Sequence, residues 1–193
     1  MTFNPNLIRA DIESQVQRLF DPAAFDPAIA YDAYSTVLFN ESVWITKANQ
    51  PAGAWDPAGW INLGPAYPVL FSNVTKTIPE GGAVRVAISW GQTTQTALAC
   101  CPTNSFGQVD GVLTLFSYTP AQEGTRQGLN AASRLRDAIP VWERLPDVSG
   151  DRPCYRVSDP NGPRGVDAET GRDFYTHNLT ATLTAQDSGS PLA

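Results

Sequence analysis

At 193 residues the chain is long enough to bury a substantial core without disulfide staples, and it suits one domain carrying long loops. Charged residues make up 17% and hydrophobic ones 42%, which excludes a disordered chain. A net charge of −6 and a pI near 4.6 argue against a surface that grips nucleic acid by neutralising phosphates, so contact with DNA, if any, is expected to be non-adhesive.

In chain order, the first element is a helix after Asn4-Pro5-Asn6. Its apolar face is Ile8, Ile12, Val16 and Leu19 or Phe20, with Arg9, Glu13, Gln17 and Arg18 in water. Asp21-Pro22 ends it, because the residue before proline is pushed out of the helical region. Residues 23–33 form a surface connector with Phe25 as its aromatic anchor. Tyr34–Phe39 and Val43–Thr46 are short strands around the turn residues Asn40-Glu41-Ser42. Residues 47–68 show no period and form a long loop. Its tryptophans, Trp55 and Trp60, either pin it to its own domain or anchor it across an interface.

Tyr67–Val74 is the next strand, followed by a turn at Pro79–Gly82. From Ala83 to Leu98 the alternation is the clearest in the chain. Val84, Val86, Ile88 and Trp90 oppose Arg85, Ala87 and Ser89, and Gly91-Gln92 permits a bulge. Residues 99–108, with Phe106, form a loop into the central strand, Gly111–Pro120. Its two faces, Val112, Thr114, Phe116 and Tyr118 against Leu113, Leu115 and Ser117, are both expected to be largely buried. Gly124-Thr125 then leads into a helix with Leu129, Ala132, Leu135 and Ile139 as its stripe and Arg126, Asn130, Arg134 and Asp137 facing water. Residues 147–172 read as a second long loop around a short strand at Cys154–Val157, with a tip at Asp159–Pro163. A last strand spans Phe174–Leu183, and a polar tail begins near Gln186. The fold class is α+β: a single domain over 1–193, with a mixed, mainly antiparallel sheet, an N-terminal helix and a second amphipathic helix packed on the sheet.

Chemistry-bearing residues are sparse. His177 with Cys154 or Cys100 has no spacing that marks a catalytic pair, so a structural or surface histidine is the reading adopted. Cys100 and Cys101 are adjacent, and with Cys154 they are expected to be free thiols. One histidine and three cysteines supply none of the usual metal spacings, so no metal is expected, and no cofactor. The glycine turns at 79–82 and 107–111 join strands and are not strand-to-helix phosphate loops. Asp147, Asp151, Asp159 and Asp167 lack the alternate-position pattern of a calcium loop and form a solvated rim. No stretch reaches the length of a membrane-spanning helix, and a polar N-terminus without a basic start and apolar run predicts a cytoplasmic chain.

The central stretch, Gly111–Pro120, then Glu123-Gly124-Thr125, then a helix with Ala131-Ala132 and Leu135, resembles the strand, turn and helix of the tail terminator proteins of tailed bacteriophages. The strand at Val84–Trp90, the last strand at Tyr175–Leu183 and the N-terminal helix are similar in place and character, so the resemblance covers about half the chain. It departs at the long loops, 47–68 and 147–172. The resemblance implies a structural virion protein without catalysis. Such a protein assembles as a ring of six on the head-proximal end of the tail tube, ends tube growth and presents a docking face to the neck or connector, while DNA passes through unbound. Its partners would be further copies of itself, the tail tube protein and the connector protein, and no membrane. Candidate interface residues are Trp55, Trp60, Phe106, Arg156 and Arg164. A neck or head-closure protein is the alternative within the virion. A small carbohydrate-binding β-module and a cysteine-dependent hydrolase are alternatives from other classes, and the amphipathic helix argues against the β-module.

Overall fold

The computed structural model describes residues 5–71, 77–97, 105–121, 125–138, 155–158, 161–166 and 174–188; for 92–97, 105–108, 125, 138, 163–166 and 186–188 it describes the backbone alone. Helix α1 spans Pro5–Phe20 and buries Ile8, Ile12, Val16 and Phe20, the stripe expected from their spacing. Its last turn closes with the Asp21 amide donating to the Gln17 carbonyl at 2.8 Å, after which Pro22 cannot continue the helix. The opposite side is less wet than expected. Arg9 and Glu13 are half-buried, and burial raises the Glu13 carboxyl above its ordinary range, with Arg9 opposing the shift.

A small antiparallel sheet follows, built from β1 (Thr36–Phe39), β2 (Ser42–Thr46) and β3 (Trp60–Pro65) in that order. The β1–β2 hairpin turns on Asn40 and Glu41, both at positive φ (48° and 60°), whose local twist matches that of the strands. The connector 23–33 covers the β1 edge, because the Leu38 amide donates to Ala23 and the Phe25 amide to Leu38. Phe25 is its anchor, as the sequence suggests.

The loop expected at 47–68 is instead half structured. Asp56 caps a 3-10 turn at Pro57–Gly59 by accepting from the Ala58 amide at 3.0 Å, and β3 follows directly. Gly64 and Pro65 hide this strand from pattern reading. Its pairing with β2 holds it, through a bulge at Val43/Trp44.

The large sheet runs β4 (Val69–Phe71), β5 (Ala83–Ala97), β6 (Ser105–Pro120), β9 (Phe174–Ser188), β7 (Tyr155–Val157), and β8 (Asn161–Val166) also pairs with β9. Only β4–β5 is parallel. The expected bulge is present, since the β5–β6 register shifts between Trp90 and Thr93, at Gly91-Gln92. A side chain at Gly111 would strike the Ser89 carbonyl and the Trp90 ring, so the close crossing there requires glycine.

Three expectations are corrected. β6 begins at Ser105, inside the expected loop 99–108. β9 continues to Ser188, into the expected polar tail. β8 occupies part of the expected loop 147–172. In each case the partner strand supplies the hydrogen bonds and the segment needs no alternation of its own. Residues 72–74 of the expected Tyr67–Val74 strand, and Cys100, Cys101 and Cys154, lie outside the described residues.

Helix α2 (Thr125–Ala138) packs on β6 and β9 beside α1. The face it buries is rotated from the expected stripe: Gly128, Ala131, Ala132, Arg134 and Leu135 are covered, while Leu129 stays 47% exposed. Gly128 and the two alanines let the helix backbone approach the sheet more closely than a leucine stripe would. Arg134, expected in water, is only 8% exposed. Its guanidinium donates to the carbonyls of Leu63 (2.8 Å) and Pro65 (2.7 Å) and lies 4.0 Å over the Phe20 ring. The core beneath both helices joins Ile8, Ile12, Val16 and Phe20 to Val84, Val86, Leu113, Leu115, Leu135, Tyr155, Val157, Leu179 and Leu183.

The strand β6 is central, as expected, but its faces are unequal. Leu113, Leu115, Ser117 and Thr119 are buried, whereas Phe116, expected in the core, is half-buried and Val112 is 50% exposed. Leu115→Ala should therefore cost about 2–5 kcal/mol and Phe116→Ala about 1 kcal/mol in urea denaturation; equal losses would contradict the layering. Arg134→Lys keeps a charge but loses the two-pronged donor fork. It should destabilise by about 2 kcal/mol, and Arg134→Ala by about 3 kcal/mol or more, in the same assay.

Candidate assembly surface

Side chains alternate along a strand, so the residues that β5, β6 and β9 do not give to the helices form a second face. On β6 these are Asp110, Val112, Thr114, Phe116 and Tyr118. The β5 partners of Phe116, Thr114 and Val112 are Arg85, Ala87 and Ser89, and those on β9 are Asn178, Thr180 and Thr182. Ser89, Val112, Thr180 and Thr182 are all exposed and adjacent in register, so the middle of this face is open. At one end the rings of Phe116 and Tyr118 stack 6.1 Å apart at 13°. At the other end the Thr184 hydroxyl donates to Asp110 Oδ1 at 3.1 Å, and exposed Arg156 of β7 pairs in register with Thr184.

The surface is rich in threonine methyls and hydroxyls, and its described charges are Arg85, Asp110 and Arg156. Such a mixture packs against another protein surface at low desolvation cost, and it offers no basic array to hold phosphates.

Of the residues proposed for an interface, Arg156 lies on this face. Phe106 and Arg164 belong to β6 and β8 by their backbones, Arg164 in register with Asn178, and their side chains lie outside the described residues. Trp55 and Trp60 are brought together, but elsewhere. Trp55 stacks on Phe39 at 4.1 Å and on Trp60 at 4.9 Å and meets Phe25 and Trp44 edge-on. Trp60, 4% exposed, also meets Tyr31 and Phe25. Trp60 is buried in this cluster and pins its segment to its own domain, whereas Trp55, Phe25, Tyr31, Phe39 and Trp44 stay half-buried. Ser89, Val112, Thr180 and Thr182, exposed in the middle of this face, are not among the interface candidates drawn from the sequence. The available signal was the threonine at every second position of Thr180, Thr182 and Thr184, opposite buried Leu179, Ala181 and Leu183.

His177 is buried at 5% exposure, on the helix side of β9. Among the described residues, no three His, Cys, Asp or Glu side chains gather closely enough to hold a metal ion. No described helix is long and apolar enough to cross a membrane.

No family model matches the chain, and no curated protein is similar to it. One similar solved structure has 20% sequence identity and a TM-score of 0.43, over 66% of this chain and 83% of that one. Its name is a sequence identifier that states no function, and at this likeness it carries no argument about function.

Val112→Lys places a charge in the centre of the open face. It should change folding stability by no more than about 0.5 kcal/mol, as expected of an exposed site. It should also abolish self-association in sedimentation or light scattering under conditions where the native protein associates. Unchanged association would remove this face from the interface.

Proposed function

We propose that this protein is a tail terminator of a tailed bacteriophage, a structural subunit that closes the head-proximal end of the tail tube as a ring and presents the docking face for the head connector. The observation that carries the proposal is the open strip Ser89–Val112–Thr182, which leaves a half-buried aromatic pair at the edge of a face with no described helix on it. A domain whose other face is sealed by two helices is complete as a folding unit and still offers an open surface on which a different surface of a neighbouring copy can pack, as a ring requires. The order of an N-terminal helix, an antiparallel sheet and the β6–turn–α2 unit supports the reading, because it is the arrangement on which the resemblance rests. The net charge of −6 supports it as well, because a basic channel would bind passing DNA with an affinity steeply dependent on salt. Arg156 would pair with a carboxylate of the neighbouring subunit.

Tail assembly in the absence of the protein tests this. A terminator is expected to leave tubes of uncontrolled length that do not join heads. Tubes of normal length that fail to join heads would assign the protein to the neck instead. Tubes of normal length that join heads would overturn both readings.

A further inference from the structure

Beneath the first turn of α2, three polar side chains converge, each with a buried atom that makes no hydrogen bond. Ser117 and Thr119 on β6 are fully buried, and His177, the register partner of Ser117, is 5% exposed. Ser117 Oγ, Thr119 Oγ1 and His177 Nδ1 make no hydrogen bond. The helix backbone sits directly on them. A Cβ at Gly128 would lie 2.5 Å from His177 Cε1, 2.8 Å from Nδ1 and 2.9 Å from Thr119 Oγ1, so only glycine fits there.

From this contact we propose that His177, with Ser117 and Thr119, forms an acid-triggered latch, in which a neutral imidazole docks the first turn of α2 and its protonation releases that turn.

Among the described residues, the groups facing the imidazole give an added proton no counter-charge. β6 contributes two hydroxyls, α2 contributes Gly128 followed by Ala131 and Ala132, and the register partner on β8 is Gly165. Tyr175 lies two residues away on the same side of β9. The charged residue in that turn of α2 is Arg126, which is exposed and of the wrong sign. Gly128 is in the first helical turn, where the backbone dipole presents its positive end. Burial by itself lowers the His177 pKa from its ordinary value.

Because the docked state binds the proton more weakly than the released one, the latch holds fully above the ordinary histidine pKa, about 6.5. It weakens as the pH falls below that value. In that window release becomes easier by up to about tenfold per pH unit. The device is independent of what the open sheet face binds.

His177 is the only histidine in the chain, so its ring proton signal can be followed without ambiguity. The test combines that NMR titration with amide hydrogen exchange between pH 8 and pH 5. His177 is expected to titrate below 6.5, with protection of the α2 amides falling by up to about tenfold per pH unit ahead of the β6 amides. His177→Gln should remove this pH dependence. Titration near 6.5 without response in α2, or simultaneous loss of α2 and β6 protection, would overturn the latch. So would an unchanged pH profile in the variant. If His177→Gln does not fold, the native titration and exchange decide the matter alone.

Discussion

The two sheets depend on one buried cation. Arg134 leaves α2, passes over the Phe20 ring at the end of α1, and donates to the carbonyls of Leu63 and Pro65 on β3. Three elements distant in sequence therefore meet at one guanidinium. Burial lowers its pKa to about 10, with Tyr67 opposing, so it stays cationic at neutral pH. A cation in this position requires compensation. Two carbonyls and two aromatic faces supply it, Tyr67 lying 5.8 Å from the guanidinium. The contact also occupies the outer edge of β3, which would otherwise offer free carbonyls to another strand. Tyr67 reinforces the joint through its amide to Phe20 (3.0 Å) and its hydroxyl to Gln127 (3.3 Å).

The elements legible in the sequence are those whose local pattern coincides with their environment. The α1 stripe, the Asn40-Glu41 turn, the Gly91-Gln92 bulge and the succession of β6 and α2 all follow from spacing and turn chemistry alone. Where a partner strand does the work, the pattern is silent, as in β3, β8 and the end of β9. The stripe of α2 was misread for a different reason. Leu129 looks like a core residue and Arg134 like a surface one, yet Gly128 draws the helix down over His177 and turns Arg134 inward against Phe20. A long aliphatic stem with a paired head buries well, and hydropathy does not record it.

The open face shows a further limit. Val112, Thr114, Phe116 and Tyr118 opposite Leu113 and Leu115 give the signature of a strand buried on both sides. A strand buried once by its own helices and once by a neighbouring subunit carries the same signature, because it meets the same demand for apolar contact. The tryptophans show the converse. Trp55 and Trp60 sit in a segment without period, which leaves open an anchor within the domain or across an interface, whereas six aromatic rings of the chain itself gather around them or include them.

With Trp60 committed to the small sheet, the large sheet's outer face is the part of the molecule best suited to meet another copy. Its sparse charge and threonine rows fit repeated contacts between identical subunits. An electron cryomicroscopy map of the head-proximal tail end tests this most directly. The account predicts a closed ring of this chain in which Val112, Thr180 and Thr182 are covered by a neighbouring copy. A map in which that face is turned to solvent, or in which the chain is absent from the tail end, would contradict it.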